Sequence, residues 1–443
     1  MSELQSSVAA DTSALRLSEP QSATLAERWY VLVMMCMVYT LSIADRYVVS
    51  TVLDPIKNDL HLSNFGVSVL TGMAFGVFYI LLGFPLSWLI DRYNRRKIVA
   101  LCLVAWSVMT AVCGLARTSF EFFLARVGVT IGEAGGTPGA NSLLSDYFPA
   151  TRRAMALTVF SLGAPIGAWL GYNVAGAIAD QYGWRAVFYA LGVPGVLAGA
   201  LVWITVREPK RGCLDSGIDG LAPSVKATLS LMWQQRSAVH TMMGTAVCAL
   251  WGWGLMFWTP AFLQRTYHLT VGQASDVTQN MHLWGGGLAT VATGWLMARS
   301  TMVDARRIVW LLAAGIGIAT VASGIFYYTR DLTLARWMLW IFIPSIYFYI
   351  GPGFGLLNNL APCRMRAMFC AMVLFLANLG NLVITPNVIG ALTDWFLRYQ
   401  LSEADALRLA MLCIVPTGFW ATAHLYLAAR DILADQERAR TYV

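Results

Sequence analysis

Two adjacent charges stand in an apolar stretch near the start of the chain: Leu41 to Val49 reads LSIADRYVV, with Asp45 beside Arg46. A second pair, Arg126 and Glu133, lies seven residues apart in ARVGVTIGEA (125–134). At about 3.6 residues per turn, a spacing of seven returns to the same helix face, and Thr130 falls between the two on that face. Carboxylates and guanidiniums set together in apolar surroundings pair as ions, and a carboxylate takes up a proton when its pair opens. Asp45 and Glu133 are therefore candidates for proton coupling. Arg126 and Arg46 are candidates for their charge partners and for holding a substrate anion. An ion pair that only fixes two helices together would use the same residue types. Arg46 is turned by about 100° from Asp45 around a helix, toward a neighbouring helix or the lipid boundary, and its role stays open at this level.

The surroundings of these charges show what kind of helices hold them. Of the 443 residues, 57% are hydrophobic and only 12% charged, with a mean hydropathy of +0.59. Soluble chains carry roughly 25% charged residues, so this composition calls for lipid as solvent. The net charge of +7 sits in loops, as expected for basic segments on a cytoplasmic face rather than for a nucleic-acid partner. The eight cysteines include no CxxC and no Cys/His ligand spacing, so neither a disulfide framework nor a metal site is expected. No cofactor is expected beyond a proton as coupling ion.

A membrane-crossing helix needs about 20 apolar residues. The chain offers twelve such stretches: 29–53, 64–88, 98–116, 121–145, 154–178, 187–206, 239–263, 277–298, 308–328, 336–360, 368–392 and 405–428. The expected class is an all-α membrane protein of twelve transmembrane helices in two pseudo-symmetric six-helix bundles. The bundles are 29–206 and 239–428, between a polar N-terminal tail (1–28), a charged linker (207–238) and a C-terminal tail (429–443). One set of loops holds Arg92, Arg95, Arg96, Lys97, Arg152, Arg153, Arg299, Arg306, Arg307, Arg364 and Arg366, and the opposite set fewer basic residues. The richer set is expected to be cytoplasmic, with both termini inside, in a bacterial inner membrane.

The halves repeat each other. FPATRRAM (148–155) recurs as APCRMRAM (361–368), GAIAD (176–180) as GALTD (390–394), HLS (61–63) as HLT (268–270), and SWLIDR (87–92) as GWLMAR (294–299). Parallel repeats of this kind place a substrate site between the halves near the bilayer midplane. At these offsets Asp45 and Arg46 correspond to Gly252 and Trp253, and Arg126 and Glu133 to Leu339 and Ile346. The titratable chemistry therefore belongs to the first half.

At about 1.5 Å per residue, Arg126 lies roughly 7 Å, Asp45 roughly 12 Å and Glu133 roughly 18 Å from the same surface, so Arg126 can reach Asp45. Each buried charge costs about 2.5–3.5 kcal/mol on insertion scales, so all four must face a bundle interior or a wet cavity. The cavity is expected to be lined by Thr130, Thr137 and Asn141 from the first half and by Trp251, Tyr349 and Asn378 from the second. His282 and His424 read as hydrogen-bonded packing groups. Gly135, Gly136 and Pro138 in the fourth stretch, with Gly351, Pro352 and Gly353 in the tenth, predict paired bends that form an inner gate.

These residues resemble a known family. SWLIDRYNRRK (87–97) resembles the loop 2–3 signature of the major facilitator superfamily, and GAPIGAWLGY (163–172) its motif in the fifth span. ADRY, DRYNRRK and ARVGVTIGEA together resemble the spinster branch, which transports lysophospholipids and sphingosine 1-phosphate in animals. The resemblance implies that protonation of Asp45, paired with Arg126, opens and closes the cavity, with Glu133 as companion. It implies a conformational latch of Asp91, Arg92, Arg95, Arg96 and Asp146, in which Asp91 caps the start of the eleventh span and Asp146 pairs with a loop basic residue such as Arg95. The expected function is proton-coupled secondary transport of an amphipathic anion, lysophospholipid- or sphingolipid-like, by a monomer embedded in membrane lipid. The alternatives are the same fold carrying a small organic anion, sugar or drug, and a non-transporting receptor. No nucleophile motif or phosphate loop suggests an enzyme.

Overall fold

The computed structural model describes residues 24–209, 225–298, 304–362 and 365–441. The tail up to residue 23, the middle of the linker, Arg299 and Arg364 lie outside them. All regular elements among the described residues are helical, the state in which a chain satisfies its own backbone groups in lipid.

Nine helices among the described residues are long and apolar enough to cross a membrane. One of them, Met155–Thr205, turns a corner at Gly183, whose φ of 77° suits a residue without Cβ, and so serves as two columns. Two further columns, Ser119–Tyr147 and 271–298, fall outside that set; the first carries Arg126 and Glu133. The described residues thus fold as twelve columns, here α1 (Leu25–Thr51), α2 (Asn64–Arg92), α3 (Arg95–Cys113), α4 (Ser119–Tyr147), α5 (150–182), α6 (184–205), α7 (Arg236–Tyr267), α8 (271–298), α9 (Ala305–Tyr328), α10 (Leu332–Leu360), α11 (366–397) and α12 (403–441). The linker contains a helix of its own, Val225–Gln234, and α12 runs to Thr441, past residue 428.

Local sequence sets these boundaries. Thr118 and Glu121 form a reciprocal capping box that starts α4, and Asn94 caps α3 through the Lys97 amide at 2.9 Å. The glycines of GAPIGAWLGY form a stripe on α5 that lets α1 approach. A Cβ on Gly167 would sit 2.5 Å from the Thr40 carbonyl, and one on Gly171 2.7 Å from that of Ala44. Small residues at such contacts let backbones pack where lipid provides no hydrophobic drive. This fixes α1, and with it Asp45 and Arg46, inside the first half.

The expected paired bends occur in the second half only. α10 breaks at Tyr349, just before Gly351, Pro352 and Gly353. α4 runs unbroken through Gly135, Gly136 and Pro138. Those glycines provide clearance for α3 instead: a Cβ on Gly135 would lie 2.7 Å from Cys102 Sγ, and one on Gly136 3.2 Å from the Trp106 ring. Three π-helical turns interrupt other columns: Val69–Met73 in α2, Met281–Gly286 in α8 and Leu379–Ile384 in α11. The halves meet where α2 lies along α11 and α5 along α8.

The end of the molecule that carries the α1 and α7 C-termini is clamped. Arg265 of α7 donates through Nη2 and Nε to Asp54, at 2.5 and 2.8 Å. Lys57 meets Glu403 of α12 at 2.5 Å. Ser50 Oγ donates to the Phe257 carbonyl at 2.6 Å, and Gln264 Nε2 to that of Thr51 at 3.1 Å. Each of these links crosses from one half to the other.

Candidate functional site

The four intramembrane charges of the first half form two ion pairs. Arg126 Nη1 donates to Asp45 Oδ2 at 2.8 Å, and Thr110 of α3 donates to Asp45 Oδ1 at 2.7 Å. Both Asp45 oxygens are occupied, and Asp45 and Arg126 are fully buried. Arg46 pairs with Glu133: its Nε and Nη2 both meet Oε2 at 3.0 Å, and Ser42 Oγ donates to the same oxygen at 2.9 Å. Glu133 Oε1 is buried without a partner.

The second pair gives Arg46, whose role the sequence left open, a definite partner in Glu133. Glu133 has no cation near it along the chain, yet Arg46 reaches it across the α1–α4 contact. The turn of about 100° between neighbours gives Asp45 and Arg46 one partner each, seven residues apart on α4. The ring of Phe75 (α2) stands beside both guanidiniums, with its centroid 4.9 Å from Arg46 Cζ and 5.3 Å from Arg126 Cζ, and Tyr79 adds a contact to Arg46 at 5.0 Å. These rings offer their negative faces to cations held away from water.

Between the halves lies a cavity of about 220 Å³. Its first-half wall includes Tyr39, Ile43, Arg46, Tyr47 and Ser50, and its second-half wall includes Trp253, Phe257, Tyr349, Phe354, Asn378 and Asn381. Of the four paired charges, Arg46 alone is among the lining residues, with a side chain 24% exposed. Arg126 stands behind the wall, so an anion in this cavity meets Arg46 rather than Arg126.

Tyr349 and Asn378 line the cavity. Thr130, Asn141 and Trp251 do not. Thr130 is buried, and its hydroxyl is turned back to the Arg126 carbonyl at 2.8 Å. The Asn141 carbonyl accepts from Ser145 Oγ at 2.9 Å within α4. Trp251 faces into the second bundle, where its indole donates to Ser323 at 3.3 Å. Trp253, two residues on and about 200° around the helix, takes the place on the wall. Thr137 borders a separate small void with Ser42 and Trp106.

Where the first half has charges, the second has packing. A Cβ on Gly252, the counterpart of Asp45, would lie 2.7 Å from Ile346, the counterpart of Glu133. Trp253, the counterpart of Arg46, stacks edge-on against Tyr347 at 5.4 Å. His282 Nδ1 and the Tyr347 hydroxyl are 2.7 Å apart, and His282 sits against the rings of Tyr47 and Tyr172. His424 is paired with His240 at 2.9 Å.

In the basic loop, Arg95 pairs with Asp146 and, at 2.8 Å, with Glu208. Arg96 donates its amide to Glu208 at 2.8 Å and its guanidinium to the Val206 carbonyl at 3.1 Å. Glu208 thereby ties the start of the linker to the head of α3. Arg92 stacks on Trp88, and Asp91 is exposed in the last turn of α2.

Sequence reading missed Ser42, Phe75, Tyr79, Thr110 and Glu208. Ser42 precedes Arg46 by four residues, and Phe75 precedes Tyr79 by four; spacing of one turn is a usable signal. Thr110 and Glu208 carry no local mark.

A model of the Major Facilitator Superfamily matches residues 35–385. An MFS-type efflux pump of Mycolicibacterium smegmatis is 29% identical over 421 residues, covering 92% of this chain and 95% of that protein. Protein spinster homolog 1 of Homo sapiens is 26% identical over 452 residues, covering 93% of this chain and 83% of that protein. The crystal structure of a bacterial homolog to the human lysosomal transporter Spinster, inward-facing and unoccupied, superposes with a TM-score of 0.80 at 28% identity, over 94% of this chain and 99% of that one.

Proposed function

We propose that this chain, which belongs to the Major Facilitator Superfamily, is a spinster-like, proton-coupled carrier that moves an amphipathic anion across its membrane by alternating access. The observation that carries the proposal is the position of Arg46: a cation lining a largely apolar and aromatic cavity, held by Glu133, whose second oxygen has no partner.

A substrate anion and the Glu133 carboxylate compete for one guanidinium. A proton arriving on Oε1 weakens the hold of Glu133 on Arg46, and the anion takes its place. Release of the anion lets Arg46 return to Glu133 and expels the proton. Asp45 and Arg126, with every Asp45 oxygen satisfied, fix α1 to α4 while this exchange takes place. The tail of the substrate lies along Ile43, Trp253, Phe257 and Phe354. A phosphate-bearing single-chain lipid of the lysophospholipid or sphingolipid kind fits this division. Loop charges orient the carrier with its clamped end outward and both termini cytoplasmic, in a bacterial inner membrane. It works as a monomer without a bound cofactor.

A second reading, a small organic anion, is favoured by the cavity itself. Its volume of about 220 Å³ is below the roughly 300–1,000 Å³ usual for ligand pockets, enough for a head group or a small acid but not for a whole lipid. A thermal-shift panel of lysophospholipids against short dicarboxylates and sugar acids, at pH 5.5 and 7.5, separates the two. Counterflow in proteoliposomes with the best binder then tests transport. Absence of both counterflow and proton flux refutes the carrier proposal.

A further inference from the structure

The two repeated motifs GAIAD and GALTD lie far from the charge pairs, and each meets the start of a helix in the opposite half. Asp180, at the end of α5, accepts from the Val271 amide at 3.1 Å and, through its other oxygen, from the Gly272 amide at 3.0 Å and the Thr270 hydroxyl at 2.6 Å. Asp394, in α11, accepts from the Asn64 amide at 3.1 Å and side chain at 2.8 Å, and through its other oxygen from the Phe65 amide at 2.8 Å. In both cases the aspartate takes the first two amides of the helix. The third is taken by the helix's own cap, Ser63 in α2 and Thr270 in α8. Four residues before each aspartate stands the motif glycine. A Cβ on Gly176 would meet the Ser275 side chain at 2.8 Å, and one on Gly390 the Ser68 hydroxyl at 2.6 Å. Ser68 and Ser275 are 207 residues apart, as are the caps Ser63 and Thr270, so the two contacts are the same contact made twice.

We infer that Asp180 and Asp394 are a reciprocal latch holding the clamped end shut. Each half supplies a carboxylate that fills the open amides of the other half's second helix, and each glycine sets the approach at which this is possible. Amides at a helix start need acceptors, and a carboxylate there also meets the positive end of the helix dipole. Both needs are met across the halves only while this end is closed. Opening it returns four amides and two carboxylates to water. The latch thus adds to the Arg265–Asp54 and Lys57–Glu403 pairs a component whose donors are mostly backbone amides at helix starts.

The inference rests on the alternating-access reading but not on the proposed substrate or proton. It is tested on the full chain in nanodiscs by spin-label distance measurement between Arg117 and Tyr328, exposed at the clamped end of opposite halves, in a background without native cysteines. Asp180→Ala and Asp394→Ala are each expected to shift the ratio of long to short distances about fivefold toward the open form, and together by about the product, a cap being worth roughly a factor of five to ten. Gly176→Leu and Gly390→Leu, which wedge the same contacts, should move it the same way. Thr270→Val, which removes the hydroxyl that both donates to Asp180 and caps the Gln273 amide, should give a smaller shift than loss of either aspartate. An unchanged distance distribution in folded Thr270→Val and in either aspartate variant overturns the latch, whatever transport assays report.

Discussion

Arg46 holds Glu133 through a single oxygen: Nε and Nη2 both lie 3.0 Å from Oε2, while Oε1 is buried without a partner. By contrast Asp45 has each oxygen engaged, one by Arg126 and one by Thr110. Two carboxylates on neighbouring helices are thus prepared for different work. One is a finished ion pair. The other has room for a proton beside a cation that faces the cavity.

Glu133→Gln is expected to uncouple transport from protons. In wild type, anion binding should tighten as pH falls, because protonation of Glu133 frees Arg46. In the variant, binding should stay at its low-pH strength between pH 5.5 and 7.5, and a pH gradient should no longer drive uptake. Titration calorimetry with the best binder of the panel reads the first effect and proteoliposome uptake the second. A wild-type pH profile in the variant excludes Glu133 as the coupling group.

Arg46→Ala and Arg126→Ala should differ in kind. Arg46→Ala removes the cavity cation, so anion affinity should fall about tenfold or more. It also leaves Glu133 buried without its cation, so stability should fall too, and Glu133→Gln on top of it should restore stability but not affinity. Arg126→Ala leaves Asp45 buried and unpaired, at a cost of about 3–5 kcal/mol. Its main effect should be a large drop in thermal stability in detergent, partly restored by Asp45→Asn on top of it. Equal losses of affinity with equal stability would contradict this division of roles.

Thr110→Val should lower stability by about 1.5–3 kcal/mol, the range for a hydrogen bond to a charged group. Anion affinity should remain within about twofold of wild type, since Thr110 is buried behind the wall and does not line the cavity. Tryptophan-fluorescence melts and the calorimetric titration check the two halves of this statement.

Trp253→Ala and Trp251→Ala give a paired test of the second-half wall. Trp253 lines the cavity, so its loss should weaken binding of long-chain anions more than short ones. Trp251 is fully buried and bonded to Ser323, so its truncation should cost about 3–5 kcal/mol of stability and leave the chain-length preference as in wild type. A chain-length effect from Trp251→Ala alone would reverse the assignment of the wall.

Much of this was legible in the order of residues. Apolar stretches of about 20 residues fix helices because lipid leaves the backbone no other partner, and the repeated motifs fix the two halves. The charge cluster could be found because a charge in an apolar run is expensive enough to need a reason. Thr110 could not be found, because a threonine in an apolar helix costs little and marks nothing. The bend expected in α4 failed for a related reason. Glycine and proline permit a break, but whether a helix breaks or uses the clearance for a neighbour depends on what packs there, here Cys102 and Trp106.

The order of residues was enough to give the helices, the duplication and the confinement of the paired intramembrane charges to the first half, because these follow from solvent and periodicity. Which charge faces which was settled by packing. Partner choice turns on the rotation of α1 against α4 and on the glycine stripe of α5 that sets it. Neither is a property of any residue alone. That rotation gave Arg126 to Asp45, Arg46 to Glu133, and the cavity to Arg46.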